Sequence, residues 1–274
     1  MNKKAVFLDI DGTLCDRSGV VSESTKKALR IAAKNGHHMV LCTGRAKVQI
    51  FPWLDPSFFQ GCVSAAGSCV TFGDKVIYEK VMEWEELRNM VDYFRKMGMP
   101  YFLQAEDAIY TESWSASEMH DAFLEIGRTE DDAKDILGKL VVLENPEEQP
   151  GVEKALYYRC KVTAEEMDAI LGHRFTIQDS SYKVTRFCDG EITCRGITKA
   201  IGMEKYLEYT GIKREDSIGI GDGPNDFEMI DFAGTGVAMG NGVPALKEHA
   251  DYVTDTVTND GIYKAFDHLG LLTP

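Results

Sequence analysis

The stretch that most constrains this chain is residues 5–14, where the apolar run Ala5, Val6, Phe7, Leu8 passes directly into Asp9-Ile10-Asp11-Gly12-Thr13-Leu14. A short continuous apolar run bounded by a glycine turn reads as a buried strand, most often of a parallel sheet. Asp9 and Asp11 then stand where that strand ends, and in open α/β sheets ligands bind outside the carboxyl ends of the strands. Two carboxylates one residue apart repel, and burial of either calls for a cation or a shared proton. A bound Mg²⁺ resolves the conflict, because it takes hard oxygen ligands from one or two carboxylates. The dipeptide taken alone favours an Asx turn or a helix cap over a metal site, and the other strand ends change that weighting.

Taken in order, residues 22–34 read as an amphipathic helix with Ala28, Ile31 and Ala32 on one face and Asn35-Gly36 as its stop. A second apolar run, 39–42, ends in Thr43-Gly44-Arg45. Residues 46–54 suggest another helix, stopped near Pro52 or Pro56. A third short strand is expected over 62–67, then a hairpin over 70–78 turning at Gly73-Asp74. From residue 84 the pattern changes. Trp84, Leu87, Met90, Val91, Phe94 and Met97 recur at helical spacing and Gly98 ends the helix.

Short strands follow at 101–104, 108–111, 140–143, 155–161, 175–178 and 183–187, with a helix at 164–171 among them. They predict an α+β unit with an antiparallel sheet, spanning 84–187, inserted into a first unit of 1–83 and 188–274. Glu130-Asp131-Asp132 reads as a solvated face or helix start. The first unit resumes with a helix from Ile197 to about Tyr209, carrying Lys199 near its start. A strand at 217–220 then ends in Gly221-Asp222-Gly223-Pro224-Asn225-Asp226, and strands at 236–239 and 252–254 complete an alternating α/β order. The fold class is therefore α/β, a Rossmann-like parallel-sheet core with an inserted α+β unit.

Composition narrows the function classes. At 274 residues, 44% hydrophobic and 27% charged, the chain is of globular type and long enough for two cores. A net charge of −14 argues against nucleic acid and against an anionic membrane as partners. No apolar run approaches the roughly 20 residues that span a bilayer, and Met1-Asn2-Lys3-Lys4 with its short apolar run does not make a signal peptide. Seven cysteines, an odd number without a CxxC pair, point to reduced thiols and a cytoplasmic setting. His37 and His38 precede the second strand and read as loop residues, away from Thr43. Gly219-Ile220-Gly221 lacks the third glycine of a dinucleotide fingerprint.

Three strands thus end in acidic or hydroxyl residues: Asp9 and Asp11, Thr43, then Asp222 and Asp226. Lys199 adds a cation that would neutralise a phosphate held among them. In Asp9-Ile10-Asp11-Gly12-Thr13-Leu14, Thr43-Gly44-Arg45, Gly196-Ile197-Thr198-Lys199 and Gly221-Asp222-Gly223-Pro224-Asn225-Asp226, the chain resembles the haloacid dehalogenase superfamily of phosphohydrolases, in particular the Cof-type (IIB) branch with a large α+β cap.

The resemblance implies a Mg²⁺-dependent phosphatase acting on a small phosphorylated metabolite. It implies Asp9 as the nucleophile that becomes an aspartyl phosphate, and Asp11 as general acid and then base. Asp9, the Asp11 backbone carbonyl and Asp222 would hold Mg²⁺; Thr43, the Gly44 amide and Lys199 would hold the phosphoryl oxygens. Asp226 would support the metal or orient Lys199, Asn225 would contact substrate or phosphate, and Arg45 would face the site. The cap would govern substrate choice, with Arg128, Arg159 and Lys183 as candidate cations, and the chain would act as a monomer or weak homodimer. Ala66-Gly67 departs from the branch's usual Asn-Gly after the third strand. Three other functions share part of this pattern: a phosphomutase, a phospho-accepting signalling module and a catalytically silent binding protein.

Overall fold

The structure, a computed structural model, describes residues 3–16, 19–50, 54–179 and 188–273. In chain order its first elements are β1 (Ala5–Leu8), α1 (Glu23–Lys34), β2 (His38–Cys42), β3 (Gly61–Ser64), β4 (Cys69–Phe72) and β5 (Lys75–Glu79). Then come α2 (Trp84–Met97), β6 (Tyr101–Ala105), β7 (Ile109–Thr111), α3 (Ser113–Glu125), α4 (Glu130–Leu137), β8 (Val141–Val142), β9 (Val152–Cys160), α5 (Ala164–Ile170), β10 (Phe175–Asp179) and β11 (Cys188–Cys194). The last are α6 (Lys199–Thr210), β12 (Ser217–Gly221), α7 (Phe227–Phe232), β13 (Thr235–Ala238), α8 (Pro244–His249), β14 (Tyr252–Val253) and α9 (Gly261–His268).

These elements form two compact units. The first comprises Met1–Arg45, Ile50–Glu79 and Thr198–Pro274; the second comprises Ala46–Gln49 and Lys80–Ile197. The first holds a sheet in the order β14-β13-β12-β1-β2-β3-β4-β5. It is parallel from β14 to β3 and antiparallel through β4 and β5. This α/β order around a parallel core follows from the alternation of apolar runs and helices in the sequence.

The strand β1 is apolar throughout because both of its faces are covered. Val6 and Leu8 pack with Ala28, Leu29 and Ala32 of α1 and Ile262, Ala265 and Phe266 of α9. Ala5 and Phe7 pack on the other face with Met203, Tyr206 and Leu207 of α6 and Met229 of α7. Residues alternate sides along a strand, so two covered faces demand a continuous apolar run. Register then sets the site. Leu8 lies opposite both Ile220 of β12 and Leu41 of β2, so the three strands end side by side.

The second unit carries a sheet in the order β10-β11-β9-β6-β7-β8, antiparallel except for the β7–β8 pair. Helix α2 buries Leu87, Met90, Val91 and Phe94, with the Phe94 ring 5.5 Å from that of Tyr101 and 6.2 Å from that of Tyr157. Arg159 pairs with Glu118 and Glu125, both at 3.0 Å, and Arg128 lies over Phe123. No helix among the described residues is long and apolar enough to cross a membrane.

Several local expectations are corrected. The stretch expected as a helix over 46–54 holds a single 3-10 turn, Lys47–Gln49, among its described residues, and Pro56 opens a second one, Pro56–Phe58, capped by Asp55. The Gln49 side chain closes the first turn by accepting from the Ala46 N–H, an alternative to helix propagation. Residues 188–194, expected in the first unit, form β11 and pair with β10 and β9 in the second sheet. Helix α3 occupies a stretch for which no element was expected, while α4 begins at Glu130, where a helix start was one of the two readings. The strand expected at 183–187, and Lys183 with it, lie outside the described residues.

Candidate active site

The register of β1, β2 and β12 delivers one group from each strand end. Asp9 follows β1 and is buried, its N–H donating to the Ile220 carbonyl at 3.0 Å. Thr43 follows β2 and is also buried; its N–H donates to the Val63 carbonyl and its hydroxyl accepts from the Arg45 N–H at 3.1 Å. Gly44 and Arg45 continue that loop. Asp222 follows β12, and a 3-10 turn, Pro224–Asp226, folds Asp226 back so that its Oδ2 accepts from the Asp222 and Gly223 N–H groups, both at 2.9 Å.

Lys199 joins the two acids. It is the first residue of α6, whose start is capped by the Thr198 hydroxyl, and its side chain is buried. Its ammonium donates to Asp9 Oδ1 at 2.7 Å and to Asp226 Oδ1 at 2.5 Å. Oxygens of Asp9, Asp222 and Asp226 all lie within 4.8 Å of one another. One ammonium thus faces three carboxylates.

The electrostatics follow from that imbalance. Burial, seconded by the charges of Asp226 and Asp222 and opposed by Lys199, pushes the Asp9 carboxyl up to about 7. Burial and the Asp226 charge push Asp222 up to about 6. Burial alone would depress the Lys199 ammonium, but Asp226 and Asp9 outweigh it and hold its pKa above the ordinary lysine range. An all-oxygen, anionic and under-compensated donor set fits a hard divalent cation. Asp226 has both oxygens committed, one to Lys199 and one to backbone amides, which suits a residue that orients Lys199.

Asp11 stands apart from this carboxylate group. It is exposed, and Arg45 grips it with Nε on Oδ2 at 2.6 Å and Nη2 on Oδ1 at 2.7 Å. Asn225 lies in the 224–226 turn with its amide oxygen beside Gly223. Gly12 adopts φ +87°, and a Cβ there would come within 2.2 Å of Asp222 Oδ2, so the loop reaches Asp222 only as glycine.

Two residues that sequence reasoning missed hold this loop. Thr13 donates its hydroxyl to Asp222 Oδ1 at 2.9 Å. Asn241 donates its amide to the Gly12 carbonyl at 2.8 Å while accepting from the Val257 N–H at 2.8 Å. Thr13 lay within the quoted motif. The Gly240-Asn241-Gly242 turn carried a signal only as a break after β13.

The family model of haloacid dehalogenase-like hydrolases matches residues 6–266. YkrA of Bacillus subtilis (strain 168) is 29% identical over 279 residues, covering 99% of this chain and all of that protein. The 5-amino-6-(5-phospho-D-ribitylamino)uracil phosphatase YitU of the same organism is 27% identical over 274 residues, covering 94% of each chain. The solved structure of a sugar phosphatase of HAD subclass IIB superposes with a TM-score of 0.78 at 29% identity, covering 98% of this chain and 100% of that one. The chain belongs to the haloacid dehalogenase-like hydrolase family and is an enzyme of its Cof-type branch, a phosphoric monoester hydrolase.

Proposed function

We propose that the chain is a Mg²⁺-dependent phosphatase hydrolysing small phosphorylated metabolites, sugar phosphates or similar phosphomonoesters, through an aspartyl phosphate on Asp9. The observation that carries this reading is the double contact of Lys199 with Asp9 and Asp226 at adjoining strand ends, beside Asp222. Phosphoryl transfer asks mainly for in-line positioning and charge neutralisation, and this arrangement offers both.

Asp9 attacks phosphorus while the bond to the leaving oxygen breaks, and Asp11 supplies the proton that oxygen takes. Asp11 then removes a proton from the water that attacks the acyl phosphate, releasing inorganic phosphate and restoring Asp9. Lys199, the Thr43 hydroxyl and the Gly44 amide hold the phosphoryl oxygens, and Asn225 adds a contact to phosphate or substrate. Asp9, Asp222 and the Asp11 carbonyl would hold Mg²⁺, which when bound would keep Asp9 ionised and neutralise phosphoryl charge. Asp226 orients Lys199, and Arg45 positions Asp11.

The unit Lys80–Ile197 acts as the cap that governs substrate choice. Seven cysteines outside any disulfide support a reducing, cytoplasmic setting. The test is phosphate release from a panel of phosphorylated metabolites, with Mg²⁺ and with excess chelator. Metal-dependent release from several monoesters supports the reading; release that persists in chelator, or none from any compound, contradicts it.

A further inference from the structure

Within the second unit, β9 and β11 run antiparallel with Glu191 opposite Leu156 and Gly190 opposite Tyr157, then slip by one residue so that Cys188 lies opposite Cys160. Tyr158 and Arg159 of β9 thus face the single Asp189 of β11, the two-against-one count of a β-bulge. Arg159 carries φ +55° there, a left-handed conformation that such bulges ordinarily give to glycine. Its N–H donates to Oδ1 of the buried Asp189 at 3.3 Å.

The bulge changes which residues meet. Continued without the extra residue, the register of Gly190 on Tyr157 would carry Cys160 past Cys188 to position 187. With it, two cysteines become directly opposed. Directly opposed residues share a face with their Cβ atoms about 4.5–5.5 Å apart. A disulfide spans Cβ atoms about 3.5–4.5 Å apart, so a shift of about 1 Å brings the pair within bonding geometry. Among the described residues no other two of the seven cysteines are paired across a ladder.

The two thiols differ in access. Cys188 is exposed, whereas Cys160 is 3% exposed. The Cys160 thiol donates to the Val162 carbonyl at 3.2 Å and its sulfur accepts from the Val162 N–H at 3.5 Å. Burial pushes the Cys160 thiol up, opposed by the Val162 N–H, and the charge of a Cys188 thiolate nearby pushes it further. An oxidant in solution therefore meets Cys188 first, with Cys160 held behind it.

We propose that Cys188 and Cys160 form a reversible oxidation site, at which a peroxide converts the two thiols to a disulfide that ties β9 to β11. The Cys188 thiolate attacks a peroxide oxygen, the O–O bond breaks, and the departing hydroxide takes a proton, leaving a sulfenic acid and water. The Cys160 sulfur then gives up its proton and attacks the Cys188 sulfur; the S–S bond forms as the S–O bond breaks, and a second water leaves. The two thiols lose two electrons and the peroxide gains them. In a reducing cytoplasm the thiols are the resting state, and the disulfide is the transient one.

The experiment treats the reduced full chain with hydrogen peroxide, blocks the remaining thiols with N-ethylmaleimide in denaturant and digests without reductant. Mass spectrometry should find Cys160 joined to Cys188, the blockable thiols should fall by two from seven, and dithiothreitol should restore both. In Cys160→Ser, Cys188 should pass on to the sulfinic acid at least about tenfold faster than in the wild type, because no second thiol captures the sulfenic acid. The wild-type readouts stand if that variant does not fold. Cys188 reaching the sulfinic acid in the wild type with no joined peptide, or a disulfide from it to any other cysteine of the same or a second chain, overturns the inference. So does a full set of unreacted thiols.

Discussion

Arg45 holds Asp11 through two parallel hydrogen bonds, Nε to Oδ2 at 2.6 Å and Nη2 to Oδ1 at 2.7 Å. A guanidinium fork on a carboxylate fixes the plane of that carboxylate as well as its place. The two side chains are 29% and 56% exposed, so the pair adds little to stability, at most about 1 kcal/mol. On the mechanism proposed above, its value would lie in orienting the proton donor.

Arg45→Ala should therefore lower kcat by about 10-fold to 100-fold on an alkyl phosphate, whose leaving oxygen needs the proton. The loss should be smaller on p-nitrophenyl phosphate, whose leaving group departs unprotonated, and the melting temperature should hardly move. Equal losses on both substrates, expressed in KM, would instead make Arg45 a phosphate ligand.

Lys199 is a different case, because it is buried between two acids. Lys199→Met leaves Asp9 and Asp226 facing each other without a cation. Removing one partner of a buried ionic network typically costs about 3–5 kcal/mol. Urea unfolding of the metal-free variant should show a loss of that order, and a loss under about 1 kcal/mol would contradict the placement.

The raised carboxyls make stability depend on pH and metal together. Asp9 near 7 and Asp222 near 6 in the fold, against 3.8 unfolded, mean that the folded chain binds more protons between about pH 4 and pH 7. These two groups thus lower the stability of the metal-free protein as pH rises through that window. A cation that binds the ionised forms relieves this, so the Mg²⁺-induced rise in melting temperature should be larger at about pH 7.5 than at about pH 5.5. An equal or larger rise at the acid end contradicts the assignment.

Ala65 and Ala66 both carry positive φ, 47° and 57°, in the loop after β3. Alanine pays for the left-handed region where asparagine tolerates it. Ala66→Asn should stabilise the chain by about 0.5–1 kcal/mol, read as a rise in melting temperature of about 1–3 °C.

The residues of the site were legible wherever strand periodicity decided their place. An apolar run covered on both faces must end at the sheet edge, so Asp9, Thr43 and Asp222 could be aligned before any coordinates. Lys199 was placed by the helix that begins with it. What stayed hidden depended on long-range choices. Arg45 on Asp11 and Asn241 on Gly12 bridge 34 and 229 residues, and single-residue spacing carries no trace of either. Helix α3 was missed because its packing is partly polar: Ser115 is buried, accepting from the Tyr101 N–H and donating to the Tyr101 carbonyl, which leaves only the short stripe Met119, Ala122 and Phe123 to announce it. Residues 188–194 were placed in the first unit with no strand read there, because Cys188-Asp189-Gly190-Glu191-Ile192-Thr193-Cys194 carries no continuous apolar run to announce β11 or the sheet it joins.

The claim on which the account turns is that Asp9 carries the phosphoryl group. Acid quenching during turnover, followed by borohydride reduction, converts an aspartyl phosphate to homoserine, and peptide mass spectrometry locates it. The account predicts homoserine at position 9 and none in Asp9→Asn, which should also lose turnover. Homoserine at another carboxylate, or turnover in Asp9→Asn within about tenfold of the wild type, would contradict it.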